Sequence, residues 1–134
     1  MGRAELPDDI RRFILTSVPS VPYLEALLLL RQDPDVEWDV RRVAARLYVS
    51  ERQAAEVLSA LAAAGIAHGE DRGDTALVRY APVTAELGER LDALARAYSA
   101  NLVGVTSLIH SRTDKRAQQF ADAFRLRKDS GRED

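Results

Sequence analysis

Apolar residues recur at helical spacing along most of this chain, interrupted by residues that start or stop helices. Ile10, Phe13, Ile14 and Val18 share one face of a short helix over residues 5–18, with Asp8 and Asp9 at its acid-favouring start and Pro19 closing it. Ser20 is placed to cap a second helix, and Pro22 falls in its first turn, where a missing N–H costs little. That helix carries Leu24 and then four consecutive leucines, Leu27 to Leu30. A run of four covers every side of a helix, so this element is expected at the centre of the core. Asp33-Pro34-Asp35 stops it, because proline cannot continue the hydrogen-bond ladder.

Val36-Glu37-Trp38 reads as a three-residue strand. Asp39 then caps a helix with Val40, Val43, Ala44 and Leu47 on its apolar face, and Ser50 caps the next, with Gln53 three residues on to complete a capping box. Gly65 ends that helix by supplying a left-handed residue. Residues 66–68 and 76–80 read as two strands, joined by a seven-residue polar turn from Gly69 to Thr75. Thr84 caps a long helix expected to reach about residue 110. Residues 111–114 read as a break, a last helix covers residues 112–128 at its widest, and residues 129–134 are expected to be a disordered tail. The fold class is therefore mainly α with a small β-hairpin.

The spacing becomes specific between Ala44 and Ile66. Ala44 is followed by Leu47 three residues later, then a turn, then Ser50; from that serine, Ala54, Leu58, Leu61, Gly65 and Ile66 fall at offsets 4, 8, 11, 15 and 16. Small residues at Ala44 and Ala54 allow two helices to cross closely, Leu58 and Leu61 point into the core, and Gly65 reverses the chain. With the order helix, short strand, helix, turn, helix, hairpin, the pattern over residues 20–83 resembles the winged helix-turn-helix of MarR- and PadR-like bacterial transcriptional regulators. One position departs from it. The turn residue before Val49 is often glycine in those families, and here it is Tyr48. A left-handed tyrosine costs about 1–2 kcal/mol, so a turn of different geometry is expected.

The resemblance implies duplex DNA as partner. In a helix-turn-helix the outward residues at the start of the second helix enter the major groove. Here these include Arg52, Gln53, Glu56 and Ser59, with Glu51 and Ala55 beside them. Arg52 has the geometry to pair with guanine and Gln53 with adenine, each worth about 1–3 kcal/mol of base discrimination. Arg41, Arg42, Arg46 and Ser50 are placed for phosphate contacts, and Arg72 at the wing tip for a minor groove. Glu70, Asp71 and Asp74 make the wing acidic overall, which suits a protein partner instead.

Beyond the wing, Leu87, Leu91, Leu94, Tyr98, Asn101, Val105 and Leu108 follow a heptad seam with one polar member. A helix over residues 84–110 is about 39 Å long at 1.5 Å per residue, longer than a small winged helix needs for its own core. The expectation is a homodimer through this seam, with Asn101 fixing register. The last helix carries Phe120 and Phe124 on an apolar stripe, and Arg125 and Arg127 among its cations. Six basic residues between 112 and 128 face only Asp114 and Asp122. Such a segment can dock on a partner protein or offer arginines to phosphate.

Composition changes this picture in three ways. The net charge of −2 is unusual for a dedicated nucleic-acid binder, but DNA responds to the field of one face rather than to the total. There is no cysteine, so disulfides, thiolate metal sites and cysteine catalysis are excluded. Of the 19 basic residues only Lys115 and Lys128 are lysines, a usage that points to a GC-rich bacterial genome. The start lacks the order of a signal peptide and no apolar run reaches membrane-spanning length, so a cytoplasmic protein without a membrane partner is expected. His68 and His110 have no ligand-spaced partners, no phosphate-binding glycine loop or nucleophile motif is present, and neither metal, cofactor nor enzymatic activity is expected. A cleft between the long helix and the winged core is the expected place for any apolar effector.

Overall fold

In the computed structural model residues 5–72 and 75–130 are described, with side chains throughout except at residues 71, 72, 75, 113–117, 120 and 124–130. Eight elements follow one another along these residues: α1 (Asp8–Ser17), α2 (Val21–Gln32), α3 (Val40–Leu47), α4 (Glu51–Ala63), β1 (Ala67–Arg72), β2 (Thr75–Tyr80), α5 (Ala85–Ala100) and α6 (Leu102–Ser130). Helices α2, α3 and α4 pack on one another, with the hairpin against α2 and α4. Helix α1 lies on α5 and α6 and completes a second layer. One apolar cluster runs through both layers.

The capping residues explain where most helices begin. Ser20, Asp39, Ser50 and Thr84 are all extended N-caps whose side chains accept from the backbone N–H three residues on. Each satisfies one of the donors that a helix start leaves open. The leucine run of α2 is central: Leu24, Leu27 and Leu30 are fully buried, with Tyr23 and Ala26 beside them. Ala44, Ala54, Leu58, Leu61 and Ile66 are likewise buried, so the spacing that marks the motif is the spacing of its core. Among the described residues no single helix is long and apolar enough to cross a membrane.

Helices α3 and α4 end in the same way. Val49 N–H reaches back to the Ala44 carbonyl at 3.1 Å, and Ile66 N–H to the Leu61 carbonyl at 3.0 Å. Such six-residue closures need a left-handed residue just before the donor. In α4 that residue is Gly65, at φ 77°. In α3 it is Tyr48, at φ 57° and ψ 44°. The expectation of a different turn is thus overturned. Tyr48 is 96% exposed, so its ring meets no obstacle, and the backbone closure holds the residue in a conformation that costs about 1–2 kcal/mol.

The hairpin and the C-terminal helices also differ from expectation. Strands β1 and β2 pair from Ala67↔Tyr80 to Arg72↔Thr75, so most of the anticipated polar turn is strand. Ladder bonds are backbone bonds, and Glu70 or Asp71 can make them whatever their side chains prefer. The predicted strand at residues 36–38 is reduced to one bridge, Trp38↔Val78. The long helix of residues 84–110 is broken at Asn101, and the break expected at residues 111–114 is absent. Ser-Arg-Thr-Asp offers neither proline nor glycine, so continuing the helix there costs little. Asn101, by contrast, ends α5 with its N–H on Ala97 and starts α6 by accepting from Gly104 N–H through Oδ1 at 2.9 Å.

Gly65 gives a direct test of the turn that launches the hairpin. A Cβ there would sit in the left-handed region and 2.8 Å from Val83 Cγ2. Gly65→Ala should destabilise the protein by about 1–2 kcal/mol, lowering the thermal midpoint by roughly 3–8 °C. Circular dichroism melts would show this, and an unchanged midpoint would contradict the turn geometry.

Candidate nucleic-acid interface

The candidate surface is built from two helices that pack together and one tryptophan between them and the wing. Trp38 N–H donates to the Val78 carbonyl at 2.7 Å, and Val78 N–H to the Trp38 carbonyl at 2.8 Å. This pair fixes the chain ahead of α3 to the middle of β2. The indole is only 2% exposed. The Arg42 guanidinium lies 4.7 Å and that of Arg46 5.6 Å from its ring centroid. Arg42 Nη1 also donates to the Glu37 carbonyl at 3.1 Å. Cations over an aromatic face are attracted by its quadrupole, by about 0.5–1 kcal/mol at an exposed site. Two arginines predicted to meet phosphate are therefore held in place by a tryptophan that the sequence marked as part of a strand and of the winged-helix pattern, but not as a platform for cations. The signal was present: Trp38, Arg42 and Arg46 stand four residues apart. Arg41 is exposed, and makes no such contact among the described residues.

On α4, Glu51, Arg52, Gln53, Ala55, Glu56 and Ser59 are all exposed on the outer side of the helix, opposite buried Ala54, Leu58 and Leu61. Ser50 Oγ accepts from Gln53 N–H at 3.0 Å, which occupies the serine as a cap and leaves the Gln53 side chain outward. Arg52 Nε lies 3.5 Å from Glu56 Oε1. Both groups are well exposed, so this pairing is weak and readily exchanged. Across residues 40–52 four arginines, Arg41, Arg42, Arg46 and Arg52, meet a single acid, Glu51. This local excess of three disappears when charges are counted over longer segments, where the C-terminal stretch alone looks basic.

The other predicted site residues are distributed differently. Leu91, Leu94 and Val105 are fully buried in the chain's own core, because α1 covers α5 and α6. They form no outward seam, which corrects their assignment to a dimer contact. Leu87, Tyr98 and Leu108 are half-buried against the same core, and Asn101 is the helix break rather than a polar seam position. The side chains of Arg72, Phe120, Phe124, Arg125 and Arg127 lie outside the described residues. An open depression lined by Arg31, Ala95, Arg96, Ser99 and Ala100 lies between α2 and α5. A second cleft, of about 270 Å³, runs between the start of α1 and α5, past Leu6, Ile10, Ala93 and Ala97.

No family model and no curated protein matches the sequence. Solved structures do match the fold. Reduced HlyU from Vibrio cholerae is 20% identical, with a TM-score of 0.51, over 68% of this chain and 92% of that one. The PcaV transcriptional regulator from Streptomyces coelicolor, bound to its natural ligand, is 22% identical with a TM-score of 0.51, over 96% and 98%. The homodimeric winged helix-turn-helix DNA-binding domain of a possible ArsR-family regulator from Mycobacterium bovis is 23% identical, with a TM-score of 0.50 over 75% and 93%. The chain has a winged helix-turn-helix fold.

Trp38 is the only tryptophan, so its emission reports on this site alone. Removing the guanidinium in Arg42→Ala should uncover the ring, shifting emission to the red and raising acrylamide quenching. Arg41→Ala should leave both unchanged. Equal spectra for the two variants would show that Arg42 does not cover the indole.

Proposed function

We propose that this protein is a cytoplasmic bacterial transcriptional regulator, not an enzyme, that binds duplex DNA with α4 in the major groove. The observation that carries the reading is the basic surface from α3 to the start of α4, where Arg42 and Arg46 stand preorganised on Trp38. Arg41, Arg42 and Arg46 contact phosphates, while Arg52, Gln53, Glu56 and Ser59 face base edges. Two of the fold neighbours, the PcaV transcriptional regulator and the DNA-binding domain of a possible ArsR-family regulator, support the same reading.

The active form is a homodimer. Large apolar residues left exposed on the second layer, Leu15 on α1 with Leu102 and Val103 on α6, are the surface available for it. A second reading is a winged-helix module that docks a partner protein, without DNA, through the hairpin or through residues 112–128. The acidic hairpin sequence, Glu70, Asp71 and Asp74, favours it.

Fluorescence anisotropy with duplexes from the protein's own promoter region, across a salt series, separates the two readings. A DNA-binding protein loses affinity steeply with salt because counterions leave the phosphates. Arg46→Ala should weaken all duplexes alike and reduce the slope by about one, whereas Arg52→Ala should relax specificity. No binding at low salt would leave the protein-docking reading. Sedimentation at micromolar concentration should give a dimer; a monomer would remove that part of the proposal.

A further inference from the structure

The one non-glycine residue with positive φ among those described is also the most exposed large apolar side chain. Tyr48 ends α3 in the left-handed region, two residues before the N-cap of α4. Both helices close with the same backbone bond, and one uses Gly65, which fits it without strain. The other uses a bulky aromatic that gains nothing from packing, since its side chain is 96% exposed. A strained residue with no packing return points to a contact outside the molecule.

Its surroundings indicate what that contact is. Tyr48 sits between Arg46 and Arg52 in the basic stretch, so an anionic surface is the complementary partner. When a helix-turn-helix docks, its second helix enters the groove and its first crosses the backbone. The turn joining them then stands at the groove's edge, beside the sugar-phosphate chain. A tyrosine hydroxyl is a donor suited to a phosphate oxygen.

We propose that Tyr48 is a DNA-backbone contact, its O–H donating to a phosphate at the edge of the groove that α4 enters. The proposal rests on the DNA-binding reading above. It is distinct from the arginine contacts because the phenol is neutral: it adds affinity at every duplex sequence without adding to the salt slope.

The test compares wild type, Tyr48→Phe and Tyr48→Gly in the same anisotropy series, with thermal melts alongside. Tyr48→Phe should fold like the wild type and lose roughly tenfold in affinity on all duplexes, at unchanged slope. Tyr48→Gly should lose at least as much, while its thermal midpoint holds or rises by a few degrees as the strain is relieved. Stability and affinity then move in opposite directions, which a purely structural role does not produce. A Tyr48→Phe protein that binds as tightly as the wild type overturns the proposal, and is what an anchor for a protein surface would give. A slope that changes by one or more overturns it as well, because charged contacts have then rearranged. If the wild type binds no duplex, the functional reading fails first and this contact fails with it.

Discussion

The pair of hydrogen bonds between Trp38 and Val78 ties the start of α3 to the middle of β2. Val36 and Glu37 form no strand of their own, and besides this pair the segment between α2 and α3 is held by Val36 N–H on the Asp33 carbonyl and Arg42 on the Glu37 carbonyl. The indole is buried against the wing and presents one face to Arg42 and Arg46. One contact therefore links three things: the entry to α3, the hairpin, and the posture of two cations. Buried indole N–H groups normally find an acceptor, yet Trp38 Nε1 has none among the described residues. Packing and the backbone bridge, rather than a side-chain hydrogen bond, hold the ring.

A second junction ties the winged core to the outer helices. Arg31 on α2 meets Asp92 on α5, with Nη2 at 2.9 Å and Nε at 3.0 Å from one carboxylate oxygen. Both side chains keep substantial solvent contact, so the pair adds little stability, and its value is geometric. Tyr80, at the end of β2, lies beside this pair. Burial raises its hydroxyl above the ordinary tyrosine range, Asp92 adds to the rise, and Arg31 opposes it. The phenol therefore stays neutral through the physiological range, beside a pair that links α2 to α5 at the edge of the core. Arg90 over the Phe13 ring, at 5.8 Å, links α5 to α1 in a similar way.

Much of this was legible from residue order. The caps Ser20, Asp39, Ser50 and Thr84 act through one hydroxyl or carboxylate on one nearby N–H, so their effect is local and readable. The offsets from Ala44 to Ile66 were equally readable, because core spacing within two short helices leaves few alternatives. Tyr48 was misjudged for the converse reason. The local cost of a left-handed tyrosine is real, but it is outweighed by the closure from Val49 to Ala44, which joins buried Ala44 to the start of α4. Asn101 failed differently. An asparagine in a heptad position and an asparagine that caps a helix look alike in sequence, and only the position of α1 decides between them. The seam residues Leu91, Leu94 and Val105 are apolar and periodic as a dimer contact would require, yet periodicity does not say whether the covering surface belongs to the same chain. Trp38 was seen as strand and missed as a platform, because its effect runs through two arginines on the following helix.

The break at Asn101 has a mechanical side. Helix α6 is 29 residues long, or roughly 43 Å, but the residues that anchor it in the core, Val105 and Ile109, lie within its first eight. Its later described side chains, from Gln118 to Ala123 where they are described, are exposed. The helix is thus a lever with its fulcrum at one end, beside the capping bond between Asn101 and Gly104. A tilt of about 5° at that point carries the far end through roughly 4 Å, close to the width of a side chain. Whatever packs against the outer length of α6 therefore reads small rotations of the core as large displacements. The same gain, run backwards, lets a load at the tip bear on the layer where α1 covers α5.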